Sequence, residues 1–188
     1  YTVAQIPLGV FRLPYTTKIN WDPVKDISYV LNVTGYAFGL VVPADSALRS
    51  WTHFVGWAKA NPGRFTYPQP PDYLGLTFLK QALYGVLPDA SGLQSPVDPA
   101  SYAATTAPLW AFLDALHPSL WRAAQAFPEN EPALGQLLAD GEIGISFAFN
   151  PGRASAEIAA GTLPDTIRTF TLEGGTIGNA SFVAIPFN

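Results

Sequence analysis

Along the chain, apolar residues switch between alternation and helical spacing, and eighteen prolines and sixteen glycines mark where one pattern gives way to the next. Residues 1–20 start as alternating apolar positions that break at Pro7 and Pro14, which predicts a strand running into irregular or short helical structure. Tyr29–Val33 and Phe38–Val42 read as strands on either side of a Thr34-Gly35 turn. Ser50 is placed to cap a helix over 51–60, where Phe54, Val55 and Ala58 recur at helical spacing until Asn61-Pro62-Gly63 stops it. Arg64–Pro68 reads as a short strand, and Pro70-Pro71-Asp72 then opens a second helix with Leu74, Phe78, Leu79, Ala82 and Leu83 on one face. Residues 88–107 read as loop, and a helix from Pro108 is interrupted at His117-Pro118 before resuming toward Phe127. A helix over Pro132–Asp140 ends at Gly141, Glu142–Phe149 reads as a buried strand, and Asn150-Pro151 supplies a cap and first-turn proline for a helix closed by Gly161. Thr166–Glu173 and Ser181–Phe187 finish the chain as strands joined by Gly174–Asn179. Strands alternating with helices predict an α/β domain with a largely parallel sheet.

Length agrees with this reading, since 188 residues suffice for one domain with a real core. Only 13% of residues are charged, the net charge is -4 and no basic run occurs, which argues against nucleic acid and against an anionic membrane surface. The longest apolar stretch, Tyr36–Ala44, contains Pro43 and is far short of the ~20 residues a membrane span needs. Cysteine is absent, which excludes disulfides, thiolate metal sites and cysteine nucleophiles. Methionine is absent too, position 1 included, so the expectation is a processed chain or part of a longer one, any signal peptide already removed.

Three strand-to-helix junctions end in a capping side chain, Ser50, Asp72 and Asn150, and helix N-termini at strand ends are natural ligand positions as well as ordinary caps. The Gly174–Asn179 run looks like a phosphate loop, but a strand follows where a dinucleotide fold requires a helix. Ser146 sits in a near miss to a nucleophile elbow, inside an apolar strand. His53 and His117 have no partner at metal-ligand spacing, so no metal site, catalytic set or cofactor is expected. Tyr36, Phe38, Tyr67 and Tyr73 fall near strand ends and turns, where rings line a cleft or pack a core; Trp51, Trp57, Trp110 and Trp121 fall on helices as core.

Two sets of motifs carry a family likeness. PGRFTYPQPPD (62–72), LLADGEIGISFAFNP (137–151), LPDTIRT (163–169) and GGTIGNASFVAIPFN (174–188) make residues 61–188 resemble the YnjB-like subfamily of ABC-importer solute-binding proteins. YTVAQIP (1–7), VFRLPY (10–15), WDPVKDISY (21–29), TGYAFGLVV (34–42) and AKANPG (58–63) make residues 1–60 resemble the receptors of tripartite tricarboxylate transporters. Both families share the two-lobed periplasmic-binding-protein fold of the second type. The resemblance therefore implies an α/β lobe of that type, a mostly parallel sheet flanked by helices with hinge-crossing strands. It assigns 1–40 to the end of a first lobe and the approach to the hinge, 41–180 to the second lobe and 181–188 to the returning hinge strand. Most of the first lobe would then be missing, in a fragment or in a sequence of mixed origin.

The function this resemblance implies is capture without catalysis. A small solute would be held in an interlobe cleft and presented to a membrane importer permease by an exported, periplasmic, monomeric protein. Tyr36, Phe38, Asp72, Tyr73, Asn150, Thr176 and Asn179 are the candidate ligand contacts. A carboxylate receptor of a tripartite tricarboxylate transporter is the alternative. Against it, the loop where those receptors hold a carboxylate with small residues reads Tyr67-Pro68-Gln69-Pro70-Pro71-Asp72-Tyr73, in which prolines donate nothing and Asp72 repels an anion, favouring a neutral or cationic solute. An α/β hydrolase and a sensor domain using the same cleft are the rivals from other classes; the hydrolase lacks an elbow and a triad.

Overall fold

The structure is a computed structural model that describes residues 2–95 and 97–186. In chain order the chain forms β1 (Ala4–Pro7), α1 (Leu13–Thr16), β2 (Ile27–Ala37), β3 (Gly39–Pro43), α2 (Trp51–Ala60), α3 (Tyr73–Val86), α4 (Tyr102–Leu116), α5 (Glu131–Ala139), β4 (Ser146–Ala148), α6 (Arg153–Ala159), β5 (Ile167–Phe170) and β6 (Gly178–Pro186). They fall into two compact units, Tyr1–Ala37 with Gly178–Asn188, and Phe38–Ile177.

The smaller unit is a three-stranded antiparallel sheet in the order β1-β6-β2. Its apolar side chains gather around Phe11, which stacks on Tyr29 at 5.4 Å and meets Phe182 edge-on at 6.5 Å. The turn expected at Thr34-Gly35 does not form. β2 runs unbroken from Ile27 to Ala37, because its extra residues are absorbed as register shifts between Tyr29 and Leu31 and between Asn32 and Thr34. Phe187, expected in the last strand, lies outside the described residues.

The larger unit is built on the sheet β4-β3-β5, and here the expected parallel sheet is corrected: both ladders are antiparallel, Leu40 facing Phe147 on one side and Phe170 on the other. The reason is topological. β3 leaves the crossing point between the units and β5 returns toward it, so entry and return oppose one another whatever lies between. Among the described residues, parallel pairing survives only as the bridges Ser50–Glu173 and Phe65–Ile145, and the segment expected as a strand over 64–68 goes no further than its bridge before Pro68 removes a donor.

Against this sheet pack α2 and α3. Phe54, Phe65, Phe78 and Phe147 are all less than 2% exposed and form a continuous aromatic core, with Phe54 edge-on to Phe65 at 4.9 Å and Phe65 edge-on to Phe147 at 5.3 Å. Both helices start as the sequence predicts: Ser50 Oγ accepts from His53 N–H at 3.2 Å, and Asp72 Oδ1 from Leu74 N–H at 2.8 Å and Gly75 N–H at 3.1 Å. α4 departs from expectation by starting at Tyr102, with Pro108 inside it. Proline in the second turn loses one backbone bond, and burial of Thr106, Leu109, Leu113 and Leu116 keeps the helix continuous. Beyond His117 there is no resumed α-helix but a turn in which Arg122, Ala123 and Ala124 all adopt positive φ, at 52°, 49° and 58°.

Candidate functional site

Register fixes where the loops of the larger unit emerge. Gly39, at the start of β3, faces Ala148 at the end of β4, so residues 149–152 leave the sheet at the end where the chain enters the unit. The Phe65–Ile145 bridge is parallel, so residues 68–72, like 149–152, exit at that end. The two loops touch: the Tyr73 ring meets the Phe149 ring edge-on at 4.9 Å. Asp72, Tyr73 and Asn150 therefore share one rim of the sheet, with Tyr73 49% exposed and Asn150 exposed.

Asp72 caps α3, whose first turn sits tightly on the loop before it. A Cβ at Gly75 would come within 2.1 Å of the Pro68 carbonyl oxygen, so only glycine fits there. Asn150 does not cap α6, contrary to expectation. Its Oδ1 accepts from Gly152 N–H at 2.9 Å, an Asx turn that ends one residue early, and Gly152 occupies the cap position without a side chain to fill it. Arg153, which opens α6, is held by Glu131 and by Glu157, the latter at 2.8 Å.

Thr176 and Phe38 belong to the crossing point. Phe38 N–H donates to the Ile177 carbonyl at 2.8 Å, and the Thr176 hydroxyl donates to the Phe38 carbonyl. The sequence predicts Phe38 at the lining of a cleft, and this is corrected: its ring is fully buried, stacked on Phe147 at 5.0 Å, and belongs to the core because the strand begins inside the sheet. In the smaller unit, Tyr36 and Asn179 are a cross-strand pair of β2 and β6.

Two further contacts escape the sequence reading. Gln81, 4% exposed on α3, accepts from Ile177 N–H through Oε1 at 2.9 Å and so ties the helix behind Asp72 to the crossing segment. A lone amide between Phe78 and Ala82 on an otherwise apolar face is the available signal. The Tyr67 hydroxyl and His117 Nε2 are 2.9 Å apart beneath the same loop. Burial pushes the Tyr67 phenol up to about 12 and lowers His117, outweighing the attraction of Asp114.

The remaining candidates lie elsewhere. Ser146 is buried inside β4 with its Oγ 3.4 Å from the Phe147 carbonyl oxygen. His53 is exposed on α2 and borders a cleft of about 590 Å³ with Pro43, Asp45, Leu48, Trp57 and Ile145, at the far end of β3 from the rim. Among the described residues no group of three or more His, Asp or Glu could hold a metal ion, and no helix is long and apolar enough to cross a membrane.

Comparison with known proteins agrees with this architecture. Residues 1–79 match the profile of the family described as "Tripartite tricarboxylate transporter family receptor". Protein YnjB of Escherichia coli K12 is 46% identical over 132 residues, which is 70% of this chain and 34% of YnjB. A UPF0065 protein of Cupriavidus necator is 60% identical over 70 residues, or 37% of this chain and 21% of that protein. The chain thus matches about a third of one curated relative and a fifth of the other. Among solved structures, an ABC transporter protein from Clostridium perfringens superposes with a TM-score of 0.58 at 19% identity, over 84% of this chain and 44% of that one. The sulfate-binding protein SubI of Mycobacterium tuberculosis also gives 0.58, at 14% identity, over 98% of this chain and 57% of its own. The chain therefore has the α/β fold of the solute-binding proteins, and its first 79 residues resemble a transporter receptor family.

Proposed function

We propose that the chain is the solute-capturing part of a binding protein that serves an ABC importer, holding a small solute at the rim of the larger unit and handing it unchanged to a membrane permease. The observation that carries this reading is the convergence of the 68–72 and 149–152 loops at one sheet end through the Tyr73–Phe149 contact. Open α/β sheets offer ligand positions at such loop clusters. The proposed contacts there are Asp72, Tyr73 and Asn150, with Thr176 beside the crossing point; Tyr36 and Asn179 stay proposed contacts on sequence grounds. The identity to YnjB over 132 residues and the fold shared with binding proteins support the same reading. Export to the periplasm and a monomeric state belong to the proposal.

The match of residues 1–79 favours a second reading, a receptor for a tripartite transporter. Native mass spectrometry of the purified chain, followed by chromatography of whatever small molecule it releases, tests both. The first reading expects a bound compound that is lost in a Tyr73→Ala, Asn150→Ala double variant. Turnover of the compound, or retention in that variant, contradicts it; a released tricarboxylate transfers the chain to the second reading.

A further inference from the structure

Residues 117–128 run alongside 63–69, the stretch that leads into the rim loop. Gly63 N–H donates to the Ser119 carbonyl at 2.9 Å, Trp121 N–H to the Phe65 carbonyl at 2.7 Å and Gln69 N–H to the Pro128 carbonyl at 3.0 Å. Among these backbone ties lies a side-chain tie, the 2.9 Å contact of the Tyr67 hydroxyl with His117 Nε2. The Tyr67 ring is stacked on Phe78 at 4.4 Å, and Phe127 packs on both partners, 5.2 Å from Tyr67 and 5.9 Å from His117. The rim loop starts at the next residue, Pro68, whose carbonyl abuts Gly75 of α3. On its other side the tie holds a turn under strain. Arg122, Ala123 and Ala124 have positive φ, where an L side chain crowds the backbone, and such residues stay there only while their surroundings hold them.

Of these four ties, only the side-chain one can be reversed by a proton. A phenol that keeps its proton up to about 12 is a donor at every physiological pH, and among the described residues its hydroxyl has His117 Nε2 as acceptor. The neutral imidazole meets this donor with a bare Nε2, its hydrogen on Nδ1. Protonation puts a hydrogen on Nε2 as well. Two donors then face one another, and a hydroxyl that turns to accept strands its own hydrogen on a residue only 4% exposed. Burial opposes a charge on the His117 ring, and Asp114, three residues back on α4, draws a proton to it. In the turn packed against the ring, Arg122 has its guanidinium over Trp121 at 4.2 Å, and Phe127 brings no charge. We propose that His117 is a positioning residue for the rim: its neutral ring holds loop 68–72 in place through Tyr67, and its protonation lets that loop go. On the receptor reading above, on which its functional meaning rests, this makes the place of capture firm at neutral pH and slack in acid.

The test follows amide hydrogen exchange and the His117 ring signals of the isotope-labelled full chain by NMR. It runs from neutral pH down to the pH at which that ring takes up its proton, with rates corrected for the intrinsic pH dependence of exchange. At neutral pH the ring should carry its hydrogen on Nδ1 and leave Nε2 bare. As the ring charges, the Gln69 and Trp121 amides should lose about tenfold more protection than the amides of β3 and β4, as for one lost hydrogen bond. His117→Gln offers Tyr67 an uncharged acceptor and should keep the neutral-pH protection while losing its pH dependence. Tyr67→Phe should start at the lowered protection and stay there. Protection that falls equally in β3 and β4, that stays constant while the ring charges, or that falls in His117→Gln as in the parent overturns the proposal and leaves the receptor reading to its own test by native mass spectrometry. The expected exchange in a chain that releases no compound at any pH supports the role of His117 and counts against the receptor reading.

Discussion

At the residue scale, the most informative pair is Tyr67 and His117, because burial moves the two groups in opposite directions. Tyr67 is 4% exposed, and its phenol titrates near 10 in the unfolded chain but is pushed up to about 12 in the fold. Its contribution to stability is therefore complete below pH 10 and is lost as pH rises toward 12, since the unfolded chain releases that proton first. His117 is lowered from 6.5, so the unfolded chain takes up a proton before the folded one does, and stability is complete above pH 6.5 and falls below it. Melting temperature against pH should thus show a plateau with two shoulders. Tyr67→Phe should reduce the alkaline shoulder without abolishing it, because Tyr29 is also raised by burial. His117→Gln should flatten the decline that sets in below pH 6.5. Shoulders that both variants leave in place would mean that neither group is buried as described.

At the scale of elements, α3 is where local sequence and site coincide. Asp72→Ala removes both cap bonds and should cost about 1 kcal/mol, whereas Asp72→Asn should cost much less. Gly75→Ala meets the Pro68 carbonyl, a backbone atom that cannot rotate away, and should cost about 1–3 kcal/mol. Urea unfolding distinguishes the cases; a Gly75→Ala variant as stable as the parent would show that the loop does not sit on the helix as described. α3 is legible because its cap, its opening prolines and its apolar spacing agree, and α2 because its cap and spacing do. The illegible features are those that sequence-local signals do not carry. Strand direction in the larger unit depends on where the chain enters and leaves, and alternation of strand and helix says nothing of that. Tyr102–Ala107 reads as loop because its short polar residues hide a helix held by buried Thr106 and Leu109. Asn150 reads as a cap because Asn-Pro suits a helix start; with the cap two residues further on, at Gly152, it forms an Asx turn instead. The positive φ run at Arg122–Ala124 has no glycine or asparagine to announce it. Of the candidate contacts, Phe38 is misplaced because an aromatic residue at a strand start reads the same whether the strand begins at a surface or inside a sheet.

For the whole molecule, the central question is where a solute sits. Among the described residues, the larger unit offers the rim of Asp72, Tyr73 and Asn150, a cleft of about 590 Å³ beside His53 at the other end of β3, and one of about 460 Å³ beside Leu93. The fold shared with solute-binding proteins does not choose between them, and the proposal places the solute at the rim because the 68–72 and 149–152 loops meet there through Tyr73 and Phe149. Hydrogen–deuterium exchange of the chain, alone and saturated with the compound recovered from it, decides the matter directly. Binding at the rim predicts slowed exchange in peptides spanning 68–76 and 149–152, with 43–57 unchanged. Protection confined to 43–57, with the rim exchanging as before, would contradict it.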